Sequence, residues 1–307
     1  MKSPLVSIGM PVYNGEQWIR RSLNSLLQQD YPNIEIIVSD NVSDDATYKI
    51  VNEYVKLHEN INVSQNDENV GIVSNFKKVL SKSSGKYFFW AGVDDLWESK
   101  FVSALVAELE LDDKYAVALP GTRLVAEDTG EELGQVRFQG RACPNNVSRL
   151  KLTSMIVSPL KYNFYICGIF RRDILIQAFK YCPDIPSSDR WFLLQLALEY
   201  QFRYIDELFY VRTIRNKLLH ERYPGEDLSE KKKVTDTKWF DYKPIPSVLS
   251  MLIRSEIVNK KYRVYIPYVL MQLFLQRTIL GVRKMGRPII VNILPRFLQK
   301  YLLRSID

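Results

Sequence analysis

The chain has 307 residues, 46% of them apolar and 25% charged, with a net charge of +7, which is the balance of a soluble globular protein with one large domain or two smaller ones. Its three cysteines, Cys143, Cys167 and Cys182, are scattered and form no C-x-x-C pair, which argues against a disulfide framework or a zinc knuckle and for a reducing cytoplasm. No apolar run approaches about 18 residues and the run in MKSPLVSIGMPVYN is short, so neither a spanning helix nor a signal peptide is expected.

In chain order, Leu5–Pro11 reads as a short buried strand. Asn14 is placed to cap a helix from about Glu16 to Gln29, in which Trp18, Ser22 and Leu26, and Ile19, Leu23 and Leu27, recur at i+4. IEIIVSD is a second buried strand ending at Asp40, and SDDAT opens a helix with Ala46, Ile50, Val51, Tyr54 and Val55 facing inward. INVSQND is a third strand, GIVSNFKKVL a third helix, and KYFFWAG a fourth strand that runs into Asp94 and Asp95. Four strands alternating with three helices imply a doubly wound parallel sheet, in which ligands bind beyond the carboxyl ends of the strands. Tyr13, Asp40, Asp67 and the Asp94–Asp95 pair all fall there. Two adjacent carboxylates at the end of a buried strand repel each other unless something positive lies between them.

Further on, AVALPGTRLVAEDTGEELGQVRF suggests an antiparallel hairpin turning near Asp128–Gly130, and FYICGIFRRDIL a strand leading into a helix. SSDRWFLLQLALEYQFRYID contains a helix whose stripe is Phe192, Leu193, Leu196, Ala197 and Tyr200, with Asp189 in its first turn, where the helix dipole favours an anion. ELFYVRTI is a closing strand, and HERYPGEDLSEKKKV reads as a linker. Beyond it the pattern is helical and amphipathic, interrupted at Pro267, Pro288 and Pro295. From residue 251 onward eleven Lys or Arg face Glu256 and Asp307, a net +9 that leaves −2 for residues 1–250. A near-neutral body with a basic tail suggests an anionic partner for the tail, membrane lipid or nucleic acid.

The motifs quoted above, in that order, resemble those of the family-2 glycosyltransferases, which have the GT-A fold. The resemblance is nearly unbroken from Val6 to Thr47, through the P-x-Y-N of residues 11–14. It continues through the ENVG of residues 68–71 with Asn75 and through SSGKYFFWAGVDDLW, and reaches SSDRWFLLQLAL and ELFYVRTIRNKLLH, covering about residues 1–222. It departs in one place: the family's metal motif is often Asp-x-Asp-Asp, and its first acid is Gly92 here. The resemblance implies a mostly parallel GT-A sheet with a smaller antiparallel portion over residues 1–222, divided into a nucleotide-sugar half (1–122) and an acceptor half (123–222). A linker (223–240) and the basic helical tail (241–307) follow.

For the site, the resemblance implies Mn²⁺ or Mg²⁺ shared by Asp94 and Asp95, with His220 either a surface histidine in a loop or a further candidate near the metal or diphosphate. Asp94 is also expected at the nucleotide. Asp40 would hydrogen-bond the base, flanked by Pro11, Val12 and Tyr13; the alternative for Asp40 is a turn or helix cap. Glu16 would be a ligand contact or a helix-dipole complement. Asp189 is the candidate general base of an inverting transfer, with an N-cap role compatible beside it, and Arg190 and Trp191 would shape the acceptor pocket or, for Trp191, pack in the core. Arg212 would pair with phosphate or with a structural carboxylate. The expected activity is transfer of a sugar from a nucleotide diphosphate donor to a hydroxyl of a growing or lipid-linked glycan, for a cell-surface polysaccharide or lipopolysaccharide. The expected place is the cytoplasmic face of the plasma membrane, met through the basic tail. The tail's apolar stripe packing on the body or joining two copies is the alternative, and nucleic acid is disfavoured because the basic residues sit among aliphatics. The rival to an enzyme is a degenerate relative serving as a membrane scaffold, kept alive by Gly92.

Overall fold

Strands β1 (Val6–Val12), β2 (Ile34–Asp40), β3 (Ile61–Gln65) and β4 (Tyr87–Trp90) alternate with helices α1 (Ile19–Leu27), α2 (Thr47–Leu57) and α3 (Ile72–Ser81). This is a computed structural model, and it describes residues 3–138, 143–145, 147–157, 164–180, 182, 188–214 and 250–271, apart from 256, 257, 259 and 270. The four strands pair in parallel in the order β3-β2-β1-β4, as the alternation requires. The order reverses between β1 and β4, and the crevice at that switch point is where the carboxyl ends of both strands open.

The chain continues through β5 (Leu96–Trp97), α4 (Phe101–Glu110), β6 (Tyr115–Leu119) and the hairpin β7 (Thr122–Ala126) with β8 (Glu132–Val136). Then come α5 (Arg149–Val157), a 3-10 turn at Phe164–Ile166, β9 (Ile169–Arg171), α6 (Arg172–Lys180), α7 (Ser188–Glu199), β10 (Gln201–Tyr204) and β11 (Tyr210–Ile214). The large sheet has the order β10-β6-β9-β4-β1-β2-β3, with β9 antiparallel to both neighbours. A second sheet, β5-β11-β7-β8, is mixed: β11 runs parallel to β7 and antiparallel to β5. The fold is thus the expected α/β arrangement, a mostly parallel sheet with a smaller, partly antiparallel portion.

Strand alternation sorts the core into two layers. In β4, Tyr87 and Phe89 join α1, α2 and α4 on one face, while Phe88 and Trp90 join α3, α6 and α7 on the other. Gly9 of β1 lies under Phe88, where a Cβ would come within 2.6 Å of the ring. Helix α7 lies against α5, α6 and the 260–265 turn, and the whole run Trp191–Leu198 is buried. The expected one-sided stripe is therefore a helix covered on all sides. Part of that cover comes from the tail: Met251, Leu252, Val258, Ile266 and Val269 are buried in the same core as Leu152 and Ile156.

Three local expectations are corrected. Asn14 does not cap α1; it sits at φ 51°, and the helix begins only at Ile19, after Gly15 O accepts the N–H groups of Trp18 and Ile19. AVAL does not join the hairpin, because Pro120–Gly121 turns the chain and sends β6 to the large sheet; the hairpin is β7–β8, turning at 127–130 as expected. Helix α4 was not expected at all. Among the described residues no helix is long and apolar enough to cross a membrane. The linker 223–240, His220 and the tail beyond residue 271 lie outside the described residues.

Candidate active site

The acidic loop, residues 91–95, leaves β4 and enters β5, so it runs from the large sheet to the small one. Residues far away in sequence hold it. Tyr210 of β11 donates its hydroxyl to Asp95 Oδ2 at 2.5 Å, and the Thr213 N–H donates to Asp95 Oδ1 at 3.2 Å. The Thr213 hydroxyl donates to the Asp94 carbonyl at 2.5 Å, and that carbonyl also accepts Arg21 Nη2 at 3.0 Å. Burial, and next the Asp94 charge, push the Asp95 carboxyl up to about 6; the Arg212 guanidinium and the Tyr210 hydrogen bond act in the opposite sense. Arg212 stands over the Phe164 ring at 5.5 Å and feels the charges of Asp95 and Asp94. Gly92 fits this packing: a Cβ there would fall 2.6 Å from Asp95 Oδ2 and 3.4 Å from Asp94 Oδ1.

The loops after β1 and β2 are joined to each other. The Asn14 N–H donates to Ser43 Oγ at 2.9 Å, Asn14 Oδ1 accepts the Asp44 N–H at 3.1 Å, and the Gly15 N–H donates to Thr47 Oγ1 at 2.7 Å. Glu16 accepts the Ala46 N–H at 2.8 Å, at the start of α2, so it complements that helix and not its own. Asp40 is fully buried and accepts Ser43 N–H (3.1 Å), Ser43 Oγ (2.5 Å) and Gln65 Nε2 (2.9 Å). This is the turn-forming arrangement weighed for it, with three bonds on a carboxylate that can accept about four. Pro11 is half-buried and Val12 buried, whereas Tyr13 is 51% exposed at the mouth of the crevice. The 66–71 loop is tied to the sheet by amides: Asn66 donates to Asn41 at 2.8 Å, Asn41 to Asn69 at 2.7 Å, and Asn75 to the Ser39 carbonyl at 2.9 Å.

Asp189 lies in the first turn of α7, half-buried. Its charge and that of Asp95 both act on the Cys167 thiol, which burial pushes up to about 12, so each lies within electrostatic reach of Cys167. Arg190 and Trp191 retain 7% and 4% exposure, and Trp191 is part of the core, the alternative weighed for it. His220 cannot be placed, as it lies outside the described residues.

A family model described as Glycosyl transferase family 2 matches residues 7–179, more than half of the chain. The chain belongs to glycosyl transferase family 2. Among family members, a putative teichuronic acid biosynthesis glycosyltransferase, TuaG of Bacillus subtilis, is 32% identical over 125 residues, 41% of this chain and 49% of TuaG. The chain spans about a third to a half of the length of the first curated relatives it matches. The structure is similar to that of S. aureus TarS in complex with UDP-GlcNAc, with a TM-score of 0.63 at 20% identity over 94% of this chain and 76% of that one. It is also similar to mannosyltransferase PcManGT of Pyrobaculum calidifontis in complex with GDP-Man and Mn²⁺, with a TM-score of 0.56 at 18% identity over 99% of this chain and 79% of that one. At these identities the likeness shows a shared GT-A fold.

In this family-2 chain no trio of His, Cys, Asp or Glu converges among the described residues, so Asp94 and Asp95 stand as a two-carboxylate set. Such a set fits a hard divalent cation that completes its shell with phosphate oxygens and water. Burial, and next the Asp94 charge, raise the Asp95 carboxyl, and a cation beside the pair would relieve the second of these. Sequence reasoning missed Arg21, Tyr210, Thr213 and Cys167, and left Arg212 between two roles. Only the position of Tyr210 and Thr213 on the closing strand, opposite the loop, could have pointed to them.

Proposed function

We propose that this chain is a metal-dependent, inverting glycosyltransferase that moves a sugar from a nucleotide diphosphate donor to a hydroxyl of a growing glycan. The observation that carries the reading is the Asp94–Asp95 pair, held at the switch-point end of β4, with Asp95 and Asp189 each within electrostatic reach of Cys167. In this reading Tyr13 and the Pro11–Val12 backbone flank the base, with Asp40 and Glu16 fixing the loops around it. Asp94 and Asp95 would hold Mn²⁺ or Mg²⁺. The bound cation would neutralise charge growing on the departing diphosphate. Asp189 takes the proton of the acceptor hydroxyl as its oxygen bonds to the anomeric carbon and the carbon–phosphate oxygen bond breaks, assistance typically worth roughly a hundred- to ten-thousand-fold in rate.

The acceptor is proposed to be a glycan or lipid-linked glycan of a cell-surface polysaccharide, in keeping with the teichuronic acid assignment of TuaG. Residues 1–222 form the catalytic unit, and the basic run from residue 251 meets an anionic membrane face from the cytoplasmic side. Glycine at position 92 is compatible with the enzyme reading, because it lets the Asp95 carboxylate lie where a Cβ at 92 would come within 2.6 Å of Oδ2.

The test is calorimetric titration with UDP, GDP and dTDP, each with Mn²⁺ and with EDTA, beside Asp94→Asn and Asp95→Asn. Metal-dependent binding of one diphosphate, lost in at least one variant, is the expected result. Folded protein that binds no nucleoside diphosphate from a wider panel would sink the enzyme reading.

A further inference from the structure

We infer that Thr213, with Tyr210 and Arg21, is a positioning device that sets the Asp94–Asp95 turn for the donor's cation and diphosphate, an inference that rests on the donor-site reading above. The loop has two anchors along its own backbone. Ala91 N–H bonds Gly9 O at 2.9 Å on the large sheet, and on the small sheet β5 pairs with β11 through Leu96–Val211 and Trp97–Tyr210. Between those anchors the turn carries two adjacent carboxylates whose repulsion the Arg212 guanidinium offsets in part, so its shape depends on the bonds that hold its backbone and the Asp95 carboxylate.

Thr213 fixes both. Its N–H holds Asp95 Oδ1, its hydroxyl holds the Asp94 carbonyl, and the same hydroxyl accepts Arg21 Nη2 at 3.1 Å. Arg21 reaches the Asp94 carbonyl as well, so helix α1, the acidic turn and β11 meet in one three-way joint. Thr213 is 5% exposed, so these bonds are sheltered from competing water. Tyr210, three residues earlier on β11, donates its hydroxyl to the other oxygen of Asp95. The end of β11 is itself secured: the Ile214 carbonyl accepts the Glu127 N–H at 3.1 Å, and the Glu127 carboxylate accepts the Trp18 indole N–H at 2.5 Å. The consequence is that the small sheet reads out on the donor site. A shift of β11 moves the carboxylate that faces the diphosphate.

The test uses the full chain and the variants Thr213→Val, Thr213→Ser and Tyr210→Phe. Three quantities are read: amide hydrogen exchange of residues 92–97 without metal, the unfolding midpoint in EDTA, and the affinity for Mn²⁺ with UDP, GDP or dTDP. Thr213→Val keeps the shape and the N–H but loses the hydroxyl. It is expected to speed exchange across 92–97 and weaken the metal-dependent affinity by about ten- to a hundredfold, the usual scale for lost outer-shell partners. Thr213→Ser restores both, and Tyr210→Phe shows the affinity loss with a smaller change in exchange. Exchange and affinity unchanged in Thr213→Val, or changed only as far as the midpoint falls, would overturn the inference. If the parent protein binds no nucleoside diphosphate, the donor-site reading fails, and the exchange of 92–97 still decides whether Thr213 fixes the turn.

Discussion

The loop after β2 and the loop after β4 each end a buried parallel strand on carboxylates, and the molecule treats them in opposite ways. Asp40 is hydrogen-bonded by neighbours, with Ser43 three residues on and Gln65 on the adjoining strand supplying its donors among the described residues. Asp95 takes its bonds from Tyr210 and Thr213 on another sheet, and it still carries a raised pKa because Asp94 stands beside it in a buried place. A carboxylate satisfied by its own loop has a complete structural account. A pair held from another sheet, with the Arg212 guanidinium close enough to feel both charges, is built by more than its own loop, and such a set suits a hard cation that also binds phosphate oxygens.

The comparison breaks most visibly in activity. Asp95→Asn or Asp94→Asn is expected to slow release of nucleoside diphosphate from donor by at least about a hundredfold, the scale seen when a group that stabilises transition-state charge is removed. Asp40→Ala should act on folding instead. It strands the Ser43 N–H and hydroxyl and the Gln65 amide, for a loss of about 3 kcal/mol in chemical denaturation. A variant of Asp40 that keeps its denaturation midpoint and loses donor binding would make the two loops alike and end the distinction.

The sheet that carries this contrast was legible in the sequence because β1, β2 and β4 are largely apolar runs, β3 alternates at its start, and α1 to α3 repeat at helical spacing. The acids were legible for the same reason, as each follows directly on a strand. What holds them was not. Tyr210 and Thr213 lie more than a hundred residues from Asp95, and their contact depends on the pairing of β5, a strand of two residues too short to leave a pattern. Asn14 misled because an Asn before a helix is a common cap, whereas here its positive φ aims its amide at the neighbouring loop. Helix α4 escaped because FVSALVAELE is apolar around much of its circumference, so no stripe stands out.

Gly92→Ala sharpens the contrast from the other side. The added Cβ meets a carboxylate that β11 holds in place, so the variant should lose up to about 3 kcal/mol and donor affinity together. Equal stability in the variant would mean that Asp95 swings aside freely. Asp95→Asn carries a further, smaller effect with a definite sign. The folded Asp95 carboxyl titrates at about 6, above its ordinary 3.8, so the folded state holds that proton more tightly. The associated stability is fully present below about pH 4 and is lost as pH rises through about 6. In EDTA at pH 7.5 Asp95→Asn should therefore be more stable than the parent by about 2 kcal/mol, with the gap closing toward pH 4. Saturating Mn²⁺ and nucleoside diphosphate should reverse that order.

The smallest effect tests the loop assigned to structure. Val42 sits at φ 64°, a conformation that a β-branched residue adopts only under constraint, and it is 38% exposed, so little packing is at stake. Val42→Asn places a residue that tolerates this backbone next to Asp40 and should raise stability by about 1 kcal/mol in thermal or chemical unfolding. If the β2 loop is a structural brace, nucleoside diphosphate affinity stays the same while the fold gains. A gain in stability paired with weaker binding would instead show that the strain at Val42 holds the loop in the shape the donor requires, and the brace would then belong to the site.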